Sequence, residues 1–278
     1  MKIQSLSIVV PPEPCVNNCK FCVSRTHHEN YDGEFNNEQY LRRIAFARDN
    51  GCNTVMLTGT NEPQQNMPFL KNFGMLNRRL DKPFRWVEMQ TAGAYLTKQM
   101  LDELYELVGV STISLSLSSL DHNKNIEYNG ITDKNFNINN LCKAIKEKGF
   151  NLRLSLNMTD AMEIEPSTTF NIAQSLGADQ VTFRVLYKGE NDCPQNRWIA
   201  KHAMPRAIID DYNNYVKVNG RKLDVLEFGQ IRYDVNGISV VVDDDCMSTV
   251  PKEELKYLVL RPNCKLYSKW DSKASLLF

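Results

Sequence analysis

The sequence predicts an α/β protein in which six strand-then-helix units build a parallel sheet and an antiparallel β appendage follows. Short β-rich runs alternate with longer stretches whose apolar residues recur at helical spacing, from residue 3 to about residue 218. Such alternation implies βαβ crossovers, hence parallel strands. After Gly220 it stops, and two hairpin-like segments take over. The expected division is therefore 1–220 for the α/β unit and 221–278 for the appendage. At 278 residues the chain is near the size at which one hydrophobic core stops growing, which allows this arrangement.

Each element has its own signal. "IQSLSIVV" is a strand that ends at Pro11. "NEQYLRRIAFARDN" places apolar residues at helical spacing and stops at Gly51. "NTVMLTG" is the second strand and "MPFLKNFGMLNRRL" the helix after it. "RWVEMQT" is the third strand, and the next helix, "TKQMLDELYELV", carries Met100, Leu101, Leu104, Leu107 and Val108 on its apolar positions. Strand "STISLSLS", helix "NINNLCKAIKEKG", strand "FNLRLSLNM", helix "TTFNIAQSLG", strand "DQVTFRVLYK" and helix "MPRAIIDDYNNYVKV" complete the series. Six units are too few to close an eight-stranded barrel. An incomplete TIM-like barrel and a doubly wound sheet both satisfy the pattern. In the tail, "IRYDVNGISVVVDD" is a hairpin turning at Asn236-Gly237, and "YLVLRPNCKLYSKW" a second one turning at Pro262-Asn263.

Composition narrows the function classes. Lys+Arg and Asp+Glu are equal at 33 each, so no basic excess draws nucleic acid or an anionic membrane from a distance. The amino-terminal apolar stretch is too short for a signal peptide, and no apolar run reaches membrane-spanning length. Five of the eight cysteines, Cys52, Cys142, Cys193, Cys246 and Cys264, are scattered without a disulfide framework. A reduced, cytoplasmic setting is expected.

The other three cysteines are Cys15, Cys19 and Cys22, in "EPCVNNCKFCVSR". Three thiolates on one loop can meet at one soft-metal centre. Four ligands close a structural site, whereas three leave a position open for chemistry. His27 or His28 could supply a fourth ligand to zinc, which makes a metal-stabilised binding module one reading. The loop follows the first strand, where the βα loops of a barrel build active sites.

The spacing C-x3-C-x2-C, with Phe21 before the last cysteine, resembles the radical S-adenosylmethionine (SAM) superfamily. The resemblance implies an incomplete (β/α)6 barrel and a [4Fe-4S] cluster held by Cys15, Cys19 and Cys22, with SAM as the remaining ligand. It also implies an electron donor such as flavodoxin or ferredoxin, and a 5′-deoxyadenosyl radical that abstracts hydrogen from a small-molecule, nucleotide or peptide substrate. "LTGTNEPQQN" resembles the family's Gly-Gly-Glu-Pro segment at Thr60, Asn61, Glu62 and Pro63. Asn61 tolerates positive φ where the family has glycine, and Glu62 is the natural partner of the SAM ammonium. Thr91 in "QTAGAYL" resembles the family's Thr-Asn-Gly turn, and Ser116 in "SLSSLD" the serine that contacts SAM. Arg153 and Asn157 fall on the fifth strand, where relatives place groups near cofactor or substrate.

Arg184, with Tyr187, Lys188, Arg197 and Trp198 beyond it, is expected to meet an anionic or planar substrate. The core is similar to that of the molybdenum-cofactor cyclase group, but the tail has no C-x2-C pair for a further cluster. An activase that installs a glycyl radical on a partner protein is the alternative within enzymes. "LRPNCKLYSKWD" reads first as a hairpin with one solvated face, and its functional reading is a lid over the barrel mouth.

Overall fold

The structure is a computed structural model that describes residues 3–11, 14–25, 33–189, 191–226, 229–243, 255–270 and 272–278. The six predicted strands are present as β1 (Ile3–Val10), β2 (Thr54–Gly59), β3 (Trp86–Thr91), β4 (Thr112–Leu117), β5 (Asn151–Met158) and β6 (Gln180–Val185). The tail adds β7 (Arg221–Val225), β8 (Ile231–Val235), β9 (Ile238–Asp243), β10 (Leu255–Leu260) and β11 (Leu266–Tyr267). All eleven strands form one sheet, in the order β11-β10-β1-β2-β3-β4-β5-β6-β9-β8-β7.

The hairpins of the tail are antiparallel internally, as their turns predict: Asn236 and Gly237 both take positive φ, 53° and 85°. Each hairpin also joins an outer edge of the parallel sheet. β9 runs parallel to β6, with Val240 opposite Val181, and β10 runs parallel to β1, with Leu255 opposite Ile3. The strands β10, β1 to β6 and β9 thus form one continuous parallel run, flanked by antiparallel strands. Local pattern shows a hairpin but not which distant edge accepts it, so these two pairings are new with the structure.

Helices α1 (Asn37–Asp49), α2 (Met67–Arg78), α3 (Lys98–Glu103), α5 (Ile138–Lys148), α6 (Pro166–Ser175) and α8 (Arg206–Asn219) match predicted segments. A π-helical turn over Leu104–Val108 continues α3. Two helices lie outside the predicted segments: α4 (His122–Asn129), capped by Asp121 and by Gly130, and α7 (Pro194–His202). No helix among the described residues is long and apolar enough to cross a membrane.

Alternate strand positions face opposite layers. Leu6, Ile8, Val55, Leu57, Ile113, Leu115, Leu152, Leu154 and Phe183 are fully buried in one cluster with Ile44, Leu70, Phe73, Leu104, Ile145 and Tyr212 of the helical layer. Each such side chain contributes about 1.5–3 kcal/mol relative to exposure. The intervening positions are mostly polar: Ser5, Ser7, Thr54, Thr58, Glu88, Gln90, Ser116, Arg153, Ser155, Asn157, Gln180, Thr182 and Arg184 line a cavity of about 780 Å³ on the other face. The helix-side layer carries the hydrophobic stabilisation, and the opposite face is left to polar groups.

Candidate functional site

The cysteine loop leaves β1 and is fastened at both sides. Gln65 bridges it from the turn after β2: its side-chain oxygen accepts from the Val16 amide at 3.1 Å and its Nε2 donates to the Pro14 carbonyl at 2.9 Å. From the α4 side, the Asn18 amide donates to the Gly130 carbonyl at 3.0 Å, the Cys19 thiol to the Asn129 carbonyl at 3.1 Å, and the Thr132 hydroxyl to the Val16 carbonyl at 3.0 Å. Gly130 is required here twice over. Its φ is 55°, and a Cβ would lie 2.4 Å from the Asn18 carbonyl oxygen.

Cys15, Cys19 and Cys22 are each half-buried, with Cys22 Sγ 2.8 Å from the Ser24 hydroxyl. Burial raises Cys15 above the ordinary thiol pKa and raises Cys19 far more. The charges of Cys22, Glu62 and Cys15 push Cys19 up further. Thiols that oppose one another's ionisation are the donor set that a cationic iron centre relieves, since metal binding takes the thiolate form. Among the described residues no three His, Cys, Asp or Glu side chains are gathered around a single metal ion. In an iron–sulfur cubane each thiolate binds a different iron, so its ligands sit further apart than those of a zinc ion. The zinc reading's His27 and His28 lie outside the described residues.

Glu62 is the centre of the second motif. It is buried, and its carboxylate accepts from Asn17 Nδ2 at 3.0 Å, Gln64 Nε2 at 3.0 Å, the Ala92 amide at 2.9 Å and the Thr91 hydroxyl. Burial raises its pKa, opposed by the bonds from Thr91, Gln64, Ala92 and Asn17. The carboxylate therefore ties the cysteine loop to the ends of β2 and β3 through the protein's own donors. Asn61 is not among the residues with positive φ, which among the described residues are Tyr95, Asn236 and Cys264 besides glycines. It is held instead through its side chain, whose Nδ2 donates to the Pro11 carbonyl at 3.0 Å. That leaves Asn61 Oδ1 buried without a hydrogen-bond partner, and the same holds for Asn17 Oδ1. Two orphaned acceptors beside a carboxylate suit a cationic donor such as an ammonium.

Beyond this turn, Asn129 Nδ2 donates to the Ser116 carbonyl at 2.9 Å, the Ser118 hydroxyl to Asn129 Oδ1 at 2.6 Å, and Asn157 Nδ2 to the Ser118 hydroxyl at 3.3 Å. The ends of β4 and β5 are thereby joined to the element that braces the cysteines. Arg153 stands apart from the strand ends where sequence grouped it. It is the third residue of β5, two inward positions before Asn157. There it forms an ion pair with the buried Glu88 and donates to Gln180 Oε1 at 2.7 Å. Arg184 lies nearer the strand end, its Nε donating to the Ser155 hydroxyl at 2.9 Å.

Of the residues the sequence assigns to the cluster and SAM, together with Arg153 and Arg184, all but Cys15, which sits on the same loop, line the cavity: Cys19, Phe21, Cys22, Thr60, Asn61, Glu62, Thr91, Ser116, Arg153, Asn157 and Arg184, whereas Lys188 and Trp198 do not. Tyr187, Arg261 and Trp270 line it as well. Arg197 does not; it is exposed and paired with Asp192 at 2.7 Å. Trp198 packs behind the cysteine loop, 5.7 Å from the Phe21 ring and 5.3 Å from that of Tyr128. The residues sequence reasoning missed are Asn17, Gln64, Gln65, Asn129 and Gly130. Their partners lie far off in sequence, and only the Gln-Gln pair directly after Pro63 hinted at them.

The family model described as the radical SAM superfamily matches residues 9–161. Solved structures share the fold at low identity. SuiB of Streptococcus suis bound to S-adenosylmethionine is 15% identical, with a TM-score of 0.63 over 96% of this chain and 60% of that one. SuiB bound to the precursor peptide SuiA gives 15% and 0.55, over 96% and 59%. Native anSMEcpe with bound AdoMet and the Cp18Cys peptide gives 11% and 0.58, over 98% and 75%. The chain thus spans about 60% of the length of SuiB. No curated protein sequence matches significantly.

Proposed function

Because the chain belongs to the radical SAM superfamily, and is accordingly an enzyme of that family, we propose that Cys15, Cys19 and Cys22 hold its [4Fe-4S] cluster and that SAM binds in the adjoining cavity. Bound there, the cluster supplies the electron that cleaves SAM to methionine and a 5′-deoxyadenosyl radical, which takes a hydrogen atom from the substrate. The protein's own residues do the rest. Gln65, Asn129 and Gly130 hold the cysteine loop in place, and Phe21 covers the cavity side of it. Glu62 fixes the 59–62 turn and the Thr91 turn relative to the cysteines. Asn61 Oδ1 offers the ammonium an acceptor that the protein leaves unused, with Glu62 supplying negative charge beside it. Ser116, Asn157 and Thr60 line the walls where the polar ends of SAM would lie.

The observation that carries this reading is the shared cavity: two of the cysteines and Asn61, whose Oδ1 is a buried acceptor without a partner, line one space of about 780 Å³. The substrate enters the same space. SuiB and anSMEcpe were solved with peptides, and we favour a peptide segment over a free small molecule or nucleotide on that ground. An electron donor such as flavodoxin or ferredoxin completes the reaction. Anaerobically reconstituted protein given reductant and SAM should release 5′-deoxyadenosine and methionine in equal amounts, and Cys22→Ala should not. No cleavage by iron-loaded wild-type protein would remove the proposal.

A further inference from the structure

The charge lining the cavity is uneven. Among the described residues the only acidic side chains on its wall are Glu62 and Glu88. Glu62 is enclosed by four donors at the cysteine end, and Glu88 is bound to Arg153 deep in the lumen. From β6 onward the described residues that line the wall include no acid, although Asp243 stands opposite Arg184 in the β6–β9 register, and they include Arg184, Arg232, Lys256 and Arg261. Arg232 is taken by Asp224. Arg261 is buried, lies over the Trp270 ring at 5.3 Å and donates to the Trp270 carbonyl at 2.7 Å. Arg184 is different: among the described residues only its Nε is engaged, by the neutral Ser155 hydroxyl at 2.9 Å. That bond fixes the guanidinium plane and leaves the two terminal nitrogens of the fork to the cavity.

A guanidinium on a cavity wall whose terminal N–H groups meet no acceptor among the described residues is open to a ligand that supplies one. Two parallel N–H groups match the two oxygens of a carboxylate or phosphate. Beside Arg184 the wall turns apolar and aromatic with Val185, Leu186, Tyr187 and Trp270. From this arrangement we infer that the substrate presents an oxyanion to Arg184 and an apolar or aromatic body to Tyr187 and Trp270. On a peptide, the oxyanion is an Asp or Glu side chain or the terminal carboxylate. The inference rests on the radical SAM reading of the same cavity.

The test uses cluster- and SAM-loaded protein with three probes that share a phenyl ring: N-acetylphenylalanine, its uncharged amide, and phenyl phosphate, titrated by calorimetry. At least one anionic probe should bind roughly ten- to a hundredfold more tightly than the amide. Arg184→Gln should erase that difference, and Arg184→Lys should restore part of it. SAM affinity is titrated on the same samples. Equal binding of acid, phosphate and amide overturns the inference, as does an unchanged preference in Arg184→Gln. It is also overturned if Arg184→Gln loses SAM affinity in place of anion affinity, because the fork then serves the carboxylate of SAM. 5′-Deoxyadenosine release by the wild type, run in parallel, separates the two levels. Its absence ends the radical SAM reading itself, whereas its presence with no anion preference ends only the assignment of Arg184.

Discussion

Replacing Glu62 by Gln tests whether this carboxylate organises the site or only charges it. An amide nitrogen in either oxygen position meets donors. At one it faces Asn17 Nδ2, at the other Gln64 Nε2 and the Thr91 hydroxyl, with the Ala92 amide within reach of both. Each buried donor left unsatisfied costs about 1–3 kcal/mol. Removing a buried charge gives some of this back. A net loss of roughly 2–4 kcal/mol follows, which for a chain of this size lowers the unfolding temperature by about 5–15 °C. The wild type also carries a pH signature. Burial holds the folded-state pKa of Glu62 above the ordinary glutamate value, so the folded protein keeps a proton that the unfolded chain has already released. Stability therefore falls as pH rises through the window just above that value, and the variant should lack this slope. Thermal unfolding across pH and SAM titration of the reconstituted protein read both effects. Unfolding temperature and SAM affinity should drop together. A variant that melts like wild type and loses only SAM affinity would refute the reasoning, because Glu62 would then act through the ligand alone.

Other perturbations separate bracing from binding. Gly130→Ala should lower both stability and iron loading, since its Cβ strikes the Asn18 backbone. Gly109→Ala, at φ 83° with nothing within 4 Å, should cost about 1–2 kcal/mol and leave iron content unchanged. Equal iron loading in both variants would dismiss the clamp on the cysteine loop. Breaking the Arg153–Glu88 pair with Arg153→Met should cost about 3–5 kcal/mol, and Arg153→Met with Glu88→Met should regain much of it. Urea unfolding of the cycle checks this, and an undiminished stability in the single variant would return Arg153 to the substrate. Trp270→Ala removes a half-buried ring packed on Tyr257 and Tyr267, so it should cost less than the roughly 3–5 kcal/mol of a fully buried aromatic. SAM cleavage without substrate should persist or rise in that variant, because water and reductant reach the cavity more freely. A fall in step with the melting temperature would make the residue structural.

The sheet's parallel core was legible because each of its strands and most of its helices carry their own periodicity. The helices α4 and α7 were not. "HNKNIEYN" has no apolar stripe and is held by Asp121, Gly130 and its contacts to the cysteine loop, which are tertiary facts. The same limit hid Gln65 and Asn129, whose partners sit on other loops. The polar lumen was available in principle: strands such as "SLSIVV", "SLSL" and "LRLSLN" alternate, whereas parallel strands buried on both faces read as continuous apolar runs. That alternation says that one face of the sheet encloses something polar. The cysteines were found through their spacing and the turn at Glu62 through its resemblance to a family segment, but the donors that saturate Glu62 were not, because a buried acid's partners leave no local mark. Likewise, a fork at Arg184 held only through its Nε among the described residues becomes visible only once the wall around it is assembled.

The central claim is that three cysteines on one loop carry an iron–sulfur cluster. Its most direct measurement is metal content per chain after anaerobic reconstitution, for wild type and for Cys19→Ala. The account predicts about four irons per chain in the wild type and the loss of most of them in the variant, with its fold retained. One zinc per chain from iron-replete protein, or a full complement of iron in Cys19→Ala, would contradict it.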